Sequence, residues 1–375
     1  MNNQNLSTLF KTTLLASAMA MVVGCSDNKV PGVTDTAKTA ELTTQLNDTV
    51  ATAASKGAAI TVADGYGTGC TVTSGVEPNI KTAVEVDPDN APGQYFFATK
   101  LTAPIKATGC KDAHTNENLP ELQAPAPGES NDAGIDNVNV TPITTLKQKY
   151  VDSGLTEAEA KTRTAELLGL DEADLDNDPV KDSSKNTDNG NKLVTAALKL
   201  VAVMKTFENA GQADPFKALA DATKTKTATT GTLDEAIQDD TVINSVVTDT
   251  TKRAEAKTAS KAVSDTINTS SNGKSGTELL NAVAKVVKTT LKTTDNNALS
   301  DTTTITNNAN NETLDEKGIK TSEVTEGSTF FNTVVAKMQE EAKKGNVNFL
   351  GDDDATSVKG TIVEINTISG AFAGN

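Results

Sequence analysis

The chain has no tryptophan, one histidine and three cysteines among 375 residues, and aromatics make up 3% of it. With three tyrosines and nine phenylalanines, it is poorly supplied with stacking surfaces for nucleobases or sugars. A single histidine, His114, disfavours a serine–histidine–aspartate triad. Common catalytic motifs are missing as well: there is no Gly-x-Ser-x-Gly elbow, His-Glu-x-x-His, phosphate loop or dinucleotide fingerprint. Beyond residue 24 no segment approaches the roughly 18 uninterrupted apolar residues of a membrane-spanning helix. Positive charge is scarce. The 34 Lys and Arg face 50 Asp and Glu, a formal net charge of −16, which favours solubility and disfavours nucleic acid or anionic lipid as partners.

What is present starts at the front. Residues 2–7 are polar, Lys11 supplies a positive charge, residues 12–23 form a short apolar run, and Val22-Val23-Gly24 leads into Cys25. A positive start, a run of about 7–15 apolar residues and small residues at the cut describe a secretory signal peptide. A cysteine directly after the cut matches the bacterial lipobox, in which that thiol carries diacylglycerol and becomes the mature N-terminus. The run is too short for a membrane span, which needs about 20 residues. The expectation is a signal peptide over residues 1–24 and a lipoprotein anchored at Cys25, since two acyl chains, palmitate among them, hold a protein stably on a membrane. Ser26 stands where aspartate tends to retain such proteins in the inner membrane, so the expected address is the cell outer membrane, on its periplasmic or its exterior face.

Behind the anchor, residues 25–57 read as a tether. Leu42, Leu46 and Val50 recur at helical spacing, so part of it is either an amphipathic helix or a disordered spacer. Residues 58–126 change character: short β-prone runs around Ile60, Cys70, Val84 and Gln94 alternate with Gly/Pro/Asp/Asn turns, which predicts a small β-sandwich. Residues 127–139 read as a linker. Residues 140–350 are helical in period and predict a helical module with flexible loops. Thr141-Pro142 marks one helix start, Thr156 and Glu159 a capping box, and Gly169 a stop. Apolar stripes follow at Leu193, Ala197, Val201 and Met204, at Leu279, Val283, Val286, Val287 and Leu291, and at Phe330, Phe331, Val334, Val335 and Met338. Residues 296–311 read as a loop or disordered, and residues 351–375 as a strand-like end. The predicted class is multi-domain α+β, a β-sandwich followed by a mostly helical bundle.

The order Asp64-Gly65-Tyr66, Gly93-Gln94-Tyr95-Phe96-Phe97, Thr108-Gly109-Cys110-Lys111-Asp112 and Asn139-Val140-Thr141-Pro142-Ile143-Thr144-Thr145-Leu146 resembles a loosely defined group of bacterial surface lipoproteins and adhesin-like secreted proteins. In that group an immunoglobulin-like or carboxypeptidase-regulatory-like β domain precedes a helical module opening on a Thr-Pro-(Leu/Ile)-Thr-Thr-Leu segment. The resemblance covers residues 60–211. It implies an architecture and a surface address rather than an activity, and Cys70 and Cys110 depart from the small residues found there.

Three sets of side chains are candidates for chemistry. Cys70 and Cys110, in one small exported domain, suggest a disulfide; the alternative is two free buried thiols. Cys110, Asp112 and His114 alternate and are legitimate zinc ligands, yet Cys110 has a better partner in Cys70, and His114 reads as exposed beside Asn116 and Asn118. Asp174, Asp176 and Asp178 have the spacing of a calcium loop's first ligands, but Pro179 and Lys185 replace its glycine and final glutamate. Asp87 with Asp89, and the acidic run 352–354, read as solvated turn carboxylates. No metal and no cofactor is expected. The expected function is a non-catalytic, membrane-tied envelope protein that presents a binding or adhesion module to a protein or glycan partner, of open oligomeric state. The alternatives are a self-associating envelope component and an envelope-polymer hydrolase using paired carboxylates.

Overall fold

Alternating burial builds the strands. Along Thr71-Val72-Thr73-Ser74 the valine and serine are buried while Thr71 is exposed, and along Ile105-Lys106-Ala107-Thr108 only the lysine is exposed, the period-two signature of a half-buried strand. The computed structural model describes residues 57–89, 91–97, 100–126, 136–227 and 229–319, with Thr44; the elements below belong to one unit, Ala54–Val334. The signal peptide, Cys25, the tether, the stripe from Phe330 to Met338 and the strand-like end lie outside the described residues.

Among the described residues, ten strands make three sheets. The first runs β10 (Asp136–Val140), β1 (Ala58–Val62), β6 (Ala91–Phe97), β5 (Val84–Asp87); the second pairs β2 (Gly67–Thr68) with β8 (Lys111–Asp112); the third runs β4 (Lys81–Thr82), β3 (Thr71–Ser74), β7 (Ile105–Thr108), β9 (Leu122–Ala124). All ladders are antiparallel except β1 with β10, which runs parallel from Ala58 opposite Asp136 to Val62 opposite Val140. Ile60, Val62, Tyr95 and Phe97 of the first sheet share one core with Val72, Ile105, Ala107 and Leu122 of the third. The stretch read as linker is therefore corrected at its end, because residues 136–139 belong to β10. Asparagine and aspartate are poor strand formers, and here the ladder to β1 holds them extended.

Helices follow, opened by the expected local signals. Thr141 caps α1 (Pro142–Asp152), with Thr144 completing a reciprocal capping box. Thr156 and Glu159 box the start of α2 (Glu157–Leu168), which Gly169 ends at φ 65°. After α3 (Pro179–Ser184), the 22-residue α4 (Asp188–Asn209) occupies the centre and packs against α3, α8 and α9, where α8 is Arg253–Ser271 and α9 is Gly276–Lys292. The short α5 (Pro215–Thr223), α6 (Leu233–Ala236) and α7 (Asp240–Val246) lie between α4 and α8, and α10 (Thr302–Asn310) comes last.

Helix α4 divides the helical core. Leu200, Met204 and Phe207 join Leu146, Tyr150, Leu167 and Phe216; Val194, Leu198 and Val201 join Val263, Ile267, Leu279, Val283 and Val287. The Leu279 stripe is thereby covered within the chain. The 296–311 stretch, expected to be disordered or an exposed loop, forms a 3₁₀ turn (Asn296–Leu299) and α10. Its Thr/Asn composition hides two buried contacts one turn apart, Ile305 and Ala309, behind an Asp301 cap that accepts from the Thr303 and Thr304 amides.

Candidate functional site

The chemistry-bearing side chains concentrate where the β region meets the helices. Between β1 and β2 the chain reverses through Gly65 at φ 131° and Tyr66 at φ 62°, the latter a left-handed conformation uncommon for a bulky residue. That turn carries the Tyr66 ring into the helical core beside α4, α8 and α9. Its hydroxyl donates to Asp178 Oδ2 at 3.0 Å, while Asp178 Oδ1 accepts from the amides of Val180 and Lys181 and caps α3. Burial, the Asp178 charge and the hydrogen bond to it push the Tyr66 phenol well above its ordinary value. Burial also raises Asp178, against the opposing pull of its donors.

Two buried carboxyls meet this turn from different sides of the sequence: Asp64 lies within it and Asp112, of β8, packs against Gly65. Asp64 is 2% exposed, and neither of its oxygens has a hydrogen-bond partner among the described residues. Asp112 is 1% exposed; its Oδ1 accepts from the His114 amide at 2.7 Å and its Oδ2 from the Thr115 hydroxyl at 2.8 Å. Burial, then the charge of Asp112, raises Asp64 well above the carboxylate range. Burial raises Asp112 too, opposed by the His114 amide and Thr115 hydroxyl.

His114 is a correction. Expected to be exposed, it is 1% exposed. Its Nδ1 donates to the Asp315 carbonyl at 2.8 Å, and its own carbonyl accepts from the Asp315 amide at 2.8 Å. Gly318 packs so closely that a Cβ there would stand 2.0 Å from the His114 nitrogen. The partner segment lies 201 residues away, so nothing near His114 in sequence announces its burial. A further tie joins β9 to α1: Thr145 Oγ1 accepts from the Gln123 amide at 2.8 Å, and Thr144 Oγ1 donates to the Gln123 carbonyl at 2.8 Å.

The expected sites resolve as follows. Cys70 and Cys110 lie at disulfide distance, with Cα atoms 4.2 Å apart, beneath Tyr95, whose hydroxyl accepts from the Cys70 amide and donates to the Gly67 carbonyl. The Cys110, Asp112, His114 triplet therefore does not converge, because each member faces its own partner. Asp174, Asp176 and Asp178 diverge similarly: Asp174 accepts from Asn177 and Asn189, Asp176 pairs with Lys147, and Asp178 serves α3 and Tyr66. Asp87 accepts from the Asp89 amide at 3.1 Å, and Asp89 pairs with Lys317 at 3.5 Å. Among the described residues no group of three or more His, Cys, Asp or Glu is placed to hold a metal ion, and no helix is long and apolar enough to cross a membrane.

Elsewhere, a cleft of about 470 Å³ opens between α4 and α6, lined by Lys192, Lys199, Asp234 and Lys274 among others. Asp234 accepts there from Lys199, Ser264 and Asn268, tying α4 and α8 to the start of α6. Sequence reading missed Asp64, Asp315 and Asp234 as structural pivots. The one available signal was an aspartate directly after the apolar run Ile60, Val62, Ala63. No family model, no curated protein and no solved structure matches this chain.

Proposed function

We propose that this chain is a lipid-anchored, non-catalytic cell-envelope protein that holds a binding module away from the membrane for a protein or glycan partner. The observation that carries the reading is the passage from Lys11 through a short apolar run to Gly24-Cys25. On this reading the acylated Cys25 fixes the chain at the outer membrane and residues 26–57 project the body. The two four-stranded sheets with their common core act as a β-sandwich, and the helices packed around α4 as a bundle. A small exported body gains from a covalent staple, and the Cys70–Cys110 pair suits an oxidising compartment. The ties from Tyr66, His114 and Gln123 to the helices make the two parts a single rigid presenter, which binding favours because little order is lost on contact.

The test is crosslinking in intact cells followed by mass spectrometry, with wild type beside Cys25→Ser. The reading expects crosslinks to envelope proteins or polymers in the wild type and a changed set in the variant, which lacks the acyl anchor. Identical crosslinks from both, or crosslinks to cytoplasmic proteins alone, contradict it.

A further inference from the structure

Among the described residues, the large apolar side chains left exposed are Val76, at 78%, and Ile80, at 42%. Single exposed apolar residues are ordinary on a protein surface, but these two share one short connection, residues 75–80, between β3 and β4. That connection is held in shape. The Asn79 amide donates to the Val76 carbonyl at 2.8 Å. Gly75, at φ 109°, sits so close that a Cβ there would meet the Asn79 carbonyl oxygen at 2.4 Å. At the base Ser74 stands opposite both Lys81 and Ile105, and its hydroxyl donates to the Ala103 carbonyl at 2.9 Å. Val76 and Ile80 therefore stand on a preformed apolar tip, with Pro78 between them.

The strand registers fix where this tip lies. β1 begins at Ala58, opposite Phe97 at the end of β6 and Asp136 at the start of β10. From Phe97 the chain crosses to Ile105 at the start of β7, and Ile105 lies opposite Ser74, the last residue of β3. The tip and the entry of the chain into β1 thus share one end of the β region. The other end of β1, at Val62, leads into the turn whose Tyr66 ring joins the helical core. Residues 26–56 connect Cys25 to the tip's end; even fully extended they keep it within about 110 Å of that cysteine.

We infer, building on the lipid-anchored reading above, that the 75–80 tip is a second membrane contact. Val76 and Ile80 enter the boundary between headgroups and acyl chains of the leaflet that holds Cys25, and the helices face away from it. Two aliphatic side chains bind lipid weakly by themselves, but an anchored body meets the leaflet as an intramolecular event, so a weak contact suffices. Glu77 and Asn79, both exposed, stay at the level of the headgroups. With a net charge of −16, apolar insertion rather than attraction to anionic lipid is the source of the contact.

The chain has no tryptophan, so Val76→Trp installs a single reporter at the tip. Asp89→Trp installs one in the exposed turn before β6, at that strand's other end. Each full-length, acylated variant is reconstituted in phosphatidylcholine vesicles whose acyl chains are brominated near the headgroup. Relative to unbrominated vesicles, Val76→Trp should lose about half of its emission and Asp89→Trp little, because bromine quenches on contact and the insertion is shallow. Adding Ile80→Asp to Val76→Trp should cut that quenching severalfold, which separates the tip's own affinity from that of the introduced ring. Should Val76→Trp not fold, Ile80→Trp reports from the other flank of the turn and should be quenched likewise. Flotation of the wild type with the vesicles reads the anchor separately. Flotation without quenching at position 76, equal quenching at 76 and 89, or quenching indifferent to Ile80→Asp overturns the tip and leaves the anchor standing. A wild type that does not float overturns both. Unquenched but blue-shifted emission that grows with the protein-to-lipid ratio assigns the tip to a second copy and also overturns the membrane contact.

Discussion

The phenol of Tyr66 reaches Asp178 Oδ2 at 3.0 Å across 112 positions of sequence, and the same carboxylate caps α3 through its other oxygen. One hydrogen bond thus joins the first turn of the β region to a helix start. Tyr66→Phe keeps the buried ring and removes only the donor, so it should destabilise by about 1.5–3 kcal/mol, the usual worth of a hydrogen bond to a charged group. Urea unfolding checks this. Asp178→Ala should lose more, because the cap on α3 disappears with the phenol's acceptor.

The bridge between Cys70 and Cys110 closes a loop of 40 residues. The chain-entropy account assigns such a closure about 3–4 kcal/mol. Cys70→Ala with Cys110→Ala should lower stability by that amount in urea, and mass measurement after alkylation, with and without reductant, should differ by two thiols. Equal masses would mean that the thiols are free.

Gly65 and Gly154 both hold positive φ, 131° and 95°, but differ in surroundings. A Cβ on Gly154 meets nothing within 4 Å, while one on Gly65 meets Asp112 Oδ1 at 2.3 Å. Gly154→Ala should therefore destabilise by about 1 kcal/mol through backbone strain alone. Gly65→Ala adds a clash in a closed interior and should exceed 3 kcal/mol. Equal melting midpoints for the two would contradict the buried packing of Asp112.

Asp234 gives a pH dependence of the opposite sign to Asp64. Burial pushes its carboxyl up, but the Ser264 hydroxyl, the Lys199 ammonium and Asn268 outweigh this and hold it below the ordinary value. The native state thus binds fewer protons there than the unfolded chain, so stability is present above about pH 4 and is lost as pH falls through the native value. Asp234→Asn should cost about 1 kcal/mol at neutral pH, modest because the side chain is 43% exposed. It should also show a shallower acid limb in a stability-versus-pH series.

Local signals were legible and long-range pairings were not. Thr141-Pro142, the Thr156/Glu159 box and the Gly169 stop each lie within one helix turn of what they control, and the structure reproduces them. The Cys70–Cys110 pairing followed from there being no other thiols in the domain. By contrast, β10 pairs with a strand 78 residues earlier, and its Asp136-Asn137-Val138-Asn139 composition reads as loop. His114 is buried by Asp315 and Gly318, and α10 survives a Thr/Asn-rich sequence because Ile305 and Ala309 find partners on α8 and α9. In each of these cases tertiary burial overrides local propensity.

The most direct test of the account is the mass of the N-terminal peptide of the protein extracted from its own cells. Acylation predicts a chain that starts at Cys25 with residues 1–24 gone and diacylglycerol on the thiol. An unmodified Cys25 inside an uncut N-terminal peptide would contradict the membrane tie and the function built on it.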